Sequence, residues 1–136
     1  MRCVVGFQQF CAAFSPVALH VEHMLIDDDL EVIGTADFIG TVEADVPGYE
    51  GVGVIDWKTS ATIHMGGVVA LSQYVHMARK DGIPVEWGAI VRLCKDEIGY
   101  EVLPFSVENL RPYVEAFRHL RALHGIAKTN NIKEAA

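Results

Sequence analysis

Two short segments of the chain contain residues whose types and spacing suit metal-assisted chemistry. GTAD occupies residues 34–37 and ends in Asp37, and IDWKTS occupies residues 55–60 with Trp57 between Asp56 and Lys58. Alternate residues of an extended strand point to the same face, so Asp56 and Lys58 are expected to share one face. A meander that pairs this strand with the strand of Asp37 would bring both carboxylates and the ammonium group together.

Two carboxylates that lie close together repel, and each disfavours the ionised form of the other. A divalent cation removes this cost, and Mg²⁺ or Mn²⁺ prefers hard oxygen ligands of this kind. Such a cation polarises a phosphoryl oxygen and activates a bound water, while a nearby lysine can hold the attacking hydroxide or offset charge in the transition state. Asp37, Asp56 and Lys58 therefore predict a site that hydrolyses phosphodiesters. The Asp-x-Lys pattern is short and common, and the alternative is an ordinary surface ion pair.

The elements that must position these residues follow from hydrophobic periodicity and turn signals. The predicted elements are a helix over 4–14, strands over 17–26 and 30–43 joined by the turn Asp27 to Asp29, a strand over 53–58, a helix over 66–80, strands over 85–94 and 100–103 joined by a turn at 96–99, and a helix over 106–124. The strand over 53–58 is mostly apolar, which is typical of a central strand buried on both faces. This order predicts an α/β (α+β) domain with a mixed sheet.

Both longer helices have apolar residues at helical spacing, which predicts the side of each helix that faces the core. In the helix over 66–80 these residues are Val68, Leu71, Val75 and Ala78. In the last helix they are Leu110, Val114, Phe117, Leu120 and Leu123.

Length and composition limit the classes of protein to be considered. The 136 residues predict a single domain over 1–136. The apolar runs are far shorter than the ~20 residues that span a bilayer, and Gln8 and Gln9 interrupt the first apolar stretch, so neither a membrane partner nor a secretory signal is expected. Cytoplasmic localisation follows, in the host cell if the protein is phage-encoded. Three cysteines match no zinc or CxxC pattern and are predicted to be buried thiols.

The formal net charge of −7 disfavours non-specific binding to nucleic acid, which depends on Lys and Arg neutralising phosphates. A divalent cation held by clustered carboxylates weakens this objection, because the ion inverts the local field. The arginines of the last helix, Arg111, Arg118 and Arg121, could follow a DNA backbone, but a solvated helix face is the commoner explanation for such a pattern.

GTAD, a gap, IDWKTS and then a helix containing Tyr74 resemble the PD-(D/E)XK nuclease superfamily. The pattern is most similar to the RecB-like branch, found in recombination enzymes, phage exonucleases and the mitochondrial genome maintenance exonuclease. The likeness runs from about Val17 to Leu103, and arguably to the end of the last helix. It implies a central mixed sheet flanked by helices. It also implies DNA hydrolysis with Mg²⁺ or Mn²⁺, more often exonucleolytic, in recombination, repair or phage DNA processing.

The resemblance further implies roles for single residues around the cation. Asp37 and Asp56 would ligate the metal, the backbone carbonyl of Trp57 would add a ligand, and Lys58 would be catalytic. Members of the family commonly have a glutamate in the first strand of the hairpin, and Glu22 fits that position. Glu22 would join the metal shell directly or through water, although an exposed glutamate on an edge strand is an equally good interpretation.

Four more residues are candidate nucleic-acid contacts by resemblance. Thr59 and Ser60 would contact phosphate, and Tyr74 and the adjacent Gln73 would contact DNA from the following helix. The family favours a glutamine four residues before the tyrosine, where this chain has Ala70. Neighbouring helix positions differ by about 100°, so Gln73 does not simply replace it. Tyr74 could equally be a core aromatic with its hydroxyl bonded.

A second departure from the family concerns the helix before the hairpin. RecB-like nucleases usually have a further His or Glu there, whereas residues 4–14 offer only Gln8 and Gln9. This departure is consistent with a missing upstream segment or with a weakened metal site. The alternative functions are therefore a catalytically weakened nuclease-fold module that binds nucleic acid or a protein partner, and a structural protein unrelated to nucleases.

Overall fold

The computed structural model describes residues 2–94 and 99–131. Within these ranges the chain forms helices and strands in the predicted order. Their bounds are α1 Arg2–Phe14, β1 Pro16–Asp27, β2 Val32–Val42, β3 Val52–Lys58, α2 Met65–Lys80, β4 Val85–Leu93, β5 Tyr100–Ser106 and α3 Val107–Thr129. The turn predicted at 96–99 and the end of the chain fall largely outside the described residues.

The five strands form one mixed sheet in the order β1-β2-β3-β4-β5. Strands β3 and β4 are parallel, joined through α2, and the remaining neighbours are antiparallel. The strand that contains Asp56 is therefore the central one, and Gly53 to Asp56 are all buried, as its apolar sequence predicted. The fold is a mixed α/β fold with a five-stranded sheet and, among the described residues, three helices.

Two clusters of buried side chains cover the two faces of the sheet. On one face, α1 packs through Phe10 against a cluster that also contains Phe38, Ile55, Trp87, Ala89 and Val91. On the other face, α2 and α3 supply Val68, Leu71, Val75, Ala78 and Leu110 to a cluster with Ile39 and Val54. The stripe predicted for α2 is therefore confirmed. Residues 54 and 55 alternate between the clusters, as the period of a strand requires.

The stripe predicted for α3 is correct only in its first half. Leu110 is buried, and Val114 and Phe117 are half-buried, but Leu120 and Leu123 are 54% and 59% exposed. The helix also runs five residues beyond the predicted end. Its second half instead contacts the rest of the chain through the Nε atom of Arg121, which donates to the Leu30 carbonyl at 3.0 Å, and through buried Ala127.

The β1–β2 hairpin is fastened to α2 by a buried carboxylate that the sequence interpretation assigned only to a turn. Asp27 is 1% exposed, and its Oδ1 accepts from Lys80 Nζ at 3.0 Å and from the Asp29 N–H at 3.1 Å. Its Oδ2 accepts from Gln73 Nε2 at 2.9 Å. Burial opposes ionisation, but hydrogen bonds from Lys80, Gln73 and Leu30 hold the pKa of Asp27 below its usual value. This network sets the position of the hairpin, and hence of Asp37, relative to α2.

Strand β1 is at one edge of the sheet and is irregular. Its register with β2 shifts between Ala18 and His20, and Glu22 has a φ of 50°. Val17, Leu19 and Val21 have exposed side chains.

Cys3, Cys11 and Cys94 are free thiols; Cys94 is buried and the other two are half-buried. None of the helices in the described part of the chain is long and apolar enough to cross a membrane.

Candidate metal centre

Strand pairing brings the two aspartates of the sequence motif together. Phe38 of β2 is opposite Ile55 of β3 in an antiparallel ladder, so the next positions along the ladder are Asp37 and Asp56. The Asp37 side chain crosses to the neighbouring strand, where its Oδ2 accepts a hydrogen bond from the Trp57 N–H at 3.0 Å. The predicted juxtaposition of the two strands is confirmed.

Asp56 and Lys58 lie on the same face of β3, as their alternation with Trp57 predicted. Lys58 Nζ is 3.0 Å from Asp56 Oδ2. The Trp57 ring lies on the opposite face, in edge contact with Phe7 and Phe10 of α1. The indole therefore anchors the end of β3 in the α1 layer, while both charged groups point to the α2 side.

Burial determines the electrostatics of this group. Asp56 is only 5% exposed, and burial, reinforced by the neighbouring Asp37 carboxyl, raises its pKa to about 6 even though the Lys58 ammonium acts to lower it. Burial tends to lower the pKa of Lys58, but the contact with Asp56 outweighs this and raises it. At neutral pH the centre therefore holds a carboxylate whose ionised form is disfavoured by burial, beside a protonated lysine.

The residues present fit a divalent cation. Asp56 Oδ2 is buried, yet no group in residues 2–94 and 99–131 donates a hydrogen bond of good geometry to it, the Lys58 ammonium included. A buried oxygen without such a donor is costly, and a cation would satisfy it. The described residues contain no group of three or more His, Cys, Asp or Glu side chains able to hold a metal. The two carboxylates of the centre are hard oxygen ligands of the kind that Mg²⁺ takes, and this ion keeps several waters beside its protein ligands.

Glu22 lies on β1, beside the strand that contains Asp37. Val21 is opposite Phe38 and His23 is opposite Ala36, so Glu22 is at the register position of Asp37. Its side chain is exposed. Its role as a metal ligand remains a prediction.

Tyr74 reaches the centre from α2. Its ring lies against Gly34, where an added Cβ would be 2.8 Å from Tyr74 Cε1. The glycine of the GTAD segment therefore makes room for this ring. Burial raises the pKa of Tyr74, and the negative charge of Asp56 raises it further, which places the phenol within electrostatic range of the carboxylates.

Gln73 was predicted to contact nucleic acid, and the structure contradicts this role. Its side chain is 2% exposed and donates to Asp27. Neighbouring helix positions point in different directions. Because Tyr74 points towards the centre, Gln73, one position earlier, points towards the hairpin.

A cavity of about 240 Å³ adjoins Lys58 on the α2 side. It is lined by Lys58, Ser60, Ile63, His64, Gly67 and Ile90. Ser60 Oγ donates to the Thr62 carbonyl at 2.7 Å, and the neighbouring Thr59 is exposed. From its spacing His64 was not predicted to be a metal ligand, and Gly67 was not among the candidates. The available signal was their position between the Asp-x-Lys strand and the following helix.

Comparison with known proteins adds little to this geometry. No protein-family model and no curated protein sequence matches the chain. A crystal structure of SSO0001 is similar to it with a TM-score of 0.42 and 18% identity, over 87% of this chain and 56% of that one. The chain thus spans little more than half the length of that structure, and a likeness at this level carries no functional argument.

Proposed function

We propose that this protein is a Mg²⁺- or Mn²⁺-dependent nuclease of the PD-(D/E)XK type, RecB-like branch, that hydrolyses DNA phosphodiester bonds, more specifically as an exonuclease. The observation that carries the proposal is the convergence of Asp37, Asp56 and Lys58 on one side of the β2–β3 ladder. Two carboxylates, one of them buried, and a lysine in contact with it are the groups that this chemistry requires.

In this proposal the aspartates and the lysine have different roles. Asp37 and Asp56 hold the cation with the Trp57 carbonyl, and when bound the cation supplies Lewis-acid polarisation of a phosphoryl oxygen. Lys58 orients the attacking water and offsets negative charge that develops on the phosphate. Burial of Asp56 strengthens these interactions, because charges act over a lower effective dielectric there than in water.

The experiment compares four proteins on end-labelled linear DNA with Mg²⁺ or Mn²⁺. The variants Asp56→Asn and Lys58→Met should each lose at least about 100-fold in rate, the loss expected when a group that stabilises the transition state is removed. Asp28→Asn is the matched control, because Asp28 is exposed and remote from the ladder. Wild-type activity should also disappear with a chelator. Equal rates in all four proteins would identify a contaminant and reject the proposal.

A second candidate is a catalytically weakened nuclease-fold module that binds nucleic acid or a protein partner. The observation that favours it is that only two carboxylates converge among the described residues, in a chain of net charge −7. Calorimetry with Mn²⁺ separates the two candidates. If the wild type shows a heat of Mn²⁺ binding that Asp37→Asn abolishes, the enzyme is supported. If the wild type shows no heat of Mn²⁺ binding, the weakened module is supported.

A further inference from the structure

The position of the Lys58 ammonium conflicts with its task in catalysis. Lys58 Nζ is 3.0 Å from Asp56 Oδ2, the same oxygen that lacks a well-formed hydrogen bond. A Mg²⁺ ion on that oxygen would lie roughly 2.1 Å away. Ammonium and cation would then be close neighbours, and like charges at such separations repel strongly in a buried site. This repulsion disfavours both positions being held at the same time.

We propose that the Lys58 ammonium holds the place of the divalent cation in the metal-free protein, and that it moves into the adjoining cavity when the cation binds. The inference rests on the metal site of the proposed function. Lys58 is therefore a positioning residue as well as a catalytic one. It neutralises the carboxylates while the site is without metal, and it turns towards the phosphate only after the metal is in place.

The cavity provides the second position for this side chain. Lys58 already lines it, and Gly67 leaves it open, because a Cβ on Gly67 would be 3.6 Å from Lys58 Cε. The four-carbon stem of lysine is flexible enough to turn. The residues described as lining the cavity include no acid, so an anionic group from outside the chain can pair with the ammonium there. A phosphate group of the DNA strand is such a partner, which couples metal binding to substrate binding in both directions.

Removing the ammonium should therefore help the cation to bind. Lys58→Met keeps a long unbranched side chain but leaves no ammonium to displace, so its affinity for Mn²⁺ should rise about fivefold or more, the lower end of typical coupling between sites. Lys58→Arg retains the charge and should show no such gain. These affinities are measured by calorimetry without DNA at about pH 8, where ordinary carboxyl groups are ionised.

Two adjacent glycines offer a matched pair for the cavity itself. Gly67→Val fills the space next to Lys58, whereas a Cβ on Gly66 meets nothing within 4 Å. Both positions are in the first turn of α2, so the effect of valine on the helix is similar. Gly67→Val should weaken Mn²⁺ binding about threefold or more relative to Gly66→Val, a modest coupling, because it leaves less room for the displaced ammonium. In the Lys58→Met background the same substitution should have no effect.

The outcomes separate this inference from the proposed function. Mn²⁺ affinity that is equal or lower in Lys58→Met, or a Gly67→Val effect that persists without the lysine, overturns the exchange and leaves the hydrolase standing. If the Mn²⁺ affinities of the variants are as expected but the wild type does not cleave DNA, the proposed hydrolase is wrong and the exchange of ammonium for cation still holds. Failure of both the wild type and Lys58→Met to bind Mn²⁺ overturns both.

Discussion

Asp56 is an ionisable side chain kept where ionisation is unfavourable. It is almost fully buried, next to a second carboxyl group, and its raised pKa means that the folded state binds this proton more tightly than the unfolded chain does. The ionised form therefore destabilises the folded protein at neutral pH. Such a cost concentrated at one residue is typical of functional sites, since a residue kept only for packing would be apolar.

Asp56→Asn should accordingly make the protein more stable while abolishing hydrolysis. A folded-state pKa of about 6 lies above the ordinary aspartate value of 3.8, so the cost of ionisation is absent below about pH 4 and fully present above about pH 7. In urea unfolding at about pH 7.5, the free energy of unfolding of the variant should exceed that of the wild type by about 1–2 kcal/mol. This is less than the full pKa shift of Asp56 corresponds to, because solvent screens the charges. The gain should shrink as the pH falls to about 4. A variant that is less stable than the wild type at both pH values would contradict the assigned cause.

At the scale of elements, the β1–β2 hairpin and α2 act as one unit because of Asp27. Four donors from two segments converge on this one carboxylate: Gln73 and Lys80 of α2, and the N–H groups of Asp29 and Leu30 in the hairpin turn. Asp37 is on the second strand of this hairpin, and Tyr74 follows Gln73 on α2. The network therefore fixes the distance between the two sides of the candidate site.

Asp27→Asn should destabilise the protein and loosen the site. Asparagine loses the ion pair with Lys80 and places a donor against Gln73 Nε2, so the free energy of unfolding should fall by about 2–4 kcal/mol at neutral pH. The pKa of Asp27 is lowered in the folded state, so the stabilisation exists above the unfolded pKa and disappears as the pH falls through the folded one. Chemical denaturation against pH measures this. Asp28→Asn, one residue along and exposed, is the control and should change stability by less than about 0.5 kcal/mol.

The order of the elements could be predicted from the sequence because each signal is local. Apolar alternation, helical spacing and turn residues are all read within a few positions, and Asp56 and Lys58 share a face for the same reason. The Asp27 network could not be predicted in this way. Its partners Gln73 and Lys80 are 46 and 53 residues away, and hydrogen bonds between distant side chains leave no periodic trace.

The second half of α3 shows a different limit of sequence interpretation. Leu120 and Leu123 continue the spacing that Leu110 begins, yet only Leu110 is buried. Helix α3 has 23 residues and its neighbour α2 has 16, so α3 is about 10 Å longer at 1.5 Å per residue. Periodicity predicts which side of a helix is apolar, but it does not predict how far the neighbouring helix extends.

At the scale of the whole molecule, net charge limits how the proposed nuclease would hold DNA. With 18 acidic and 11 basic side chains, the chain offers little to a polyanion except at the candidate centre. Lys80 and Arg118 are already paired with carboxylates of the chain. Affinity for DNA is therefore expected to depend on the divalent cation rather than on a broad basic surface.

The dependence of DNA binding on salt tests this expectation. Each phosphate neutralised by the protein contributes about −0.9 to the slope of log affinity against log salt concentration, so a slope shallower than about −3 is expected. Fluorescence anisotropy of a short labelled DNA with Ca²⁺, which also takes oxygen ligands, provides the measurement. Binding should be lost without divalent ions. A slope steeper than about −5, or binding that persists in a chelator, would indicate an extended basic interface instead.

The irregular first strand has a consequence for the behaviour of the protein in concentrated solution. An exposed edge with apolar side chains is a template on which other chains can stack as further strands. The register shift at Ala18 and the left-handed Glu22 interrupt the regular row of backbone donors and acceptors along β1. A bulge of this kind bends the strand and ends straight pairing. The protein can thus display Val17, Leu19 and Val21 without offering a continuous edge for fibril growth.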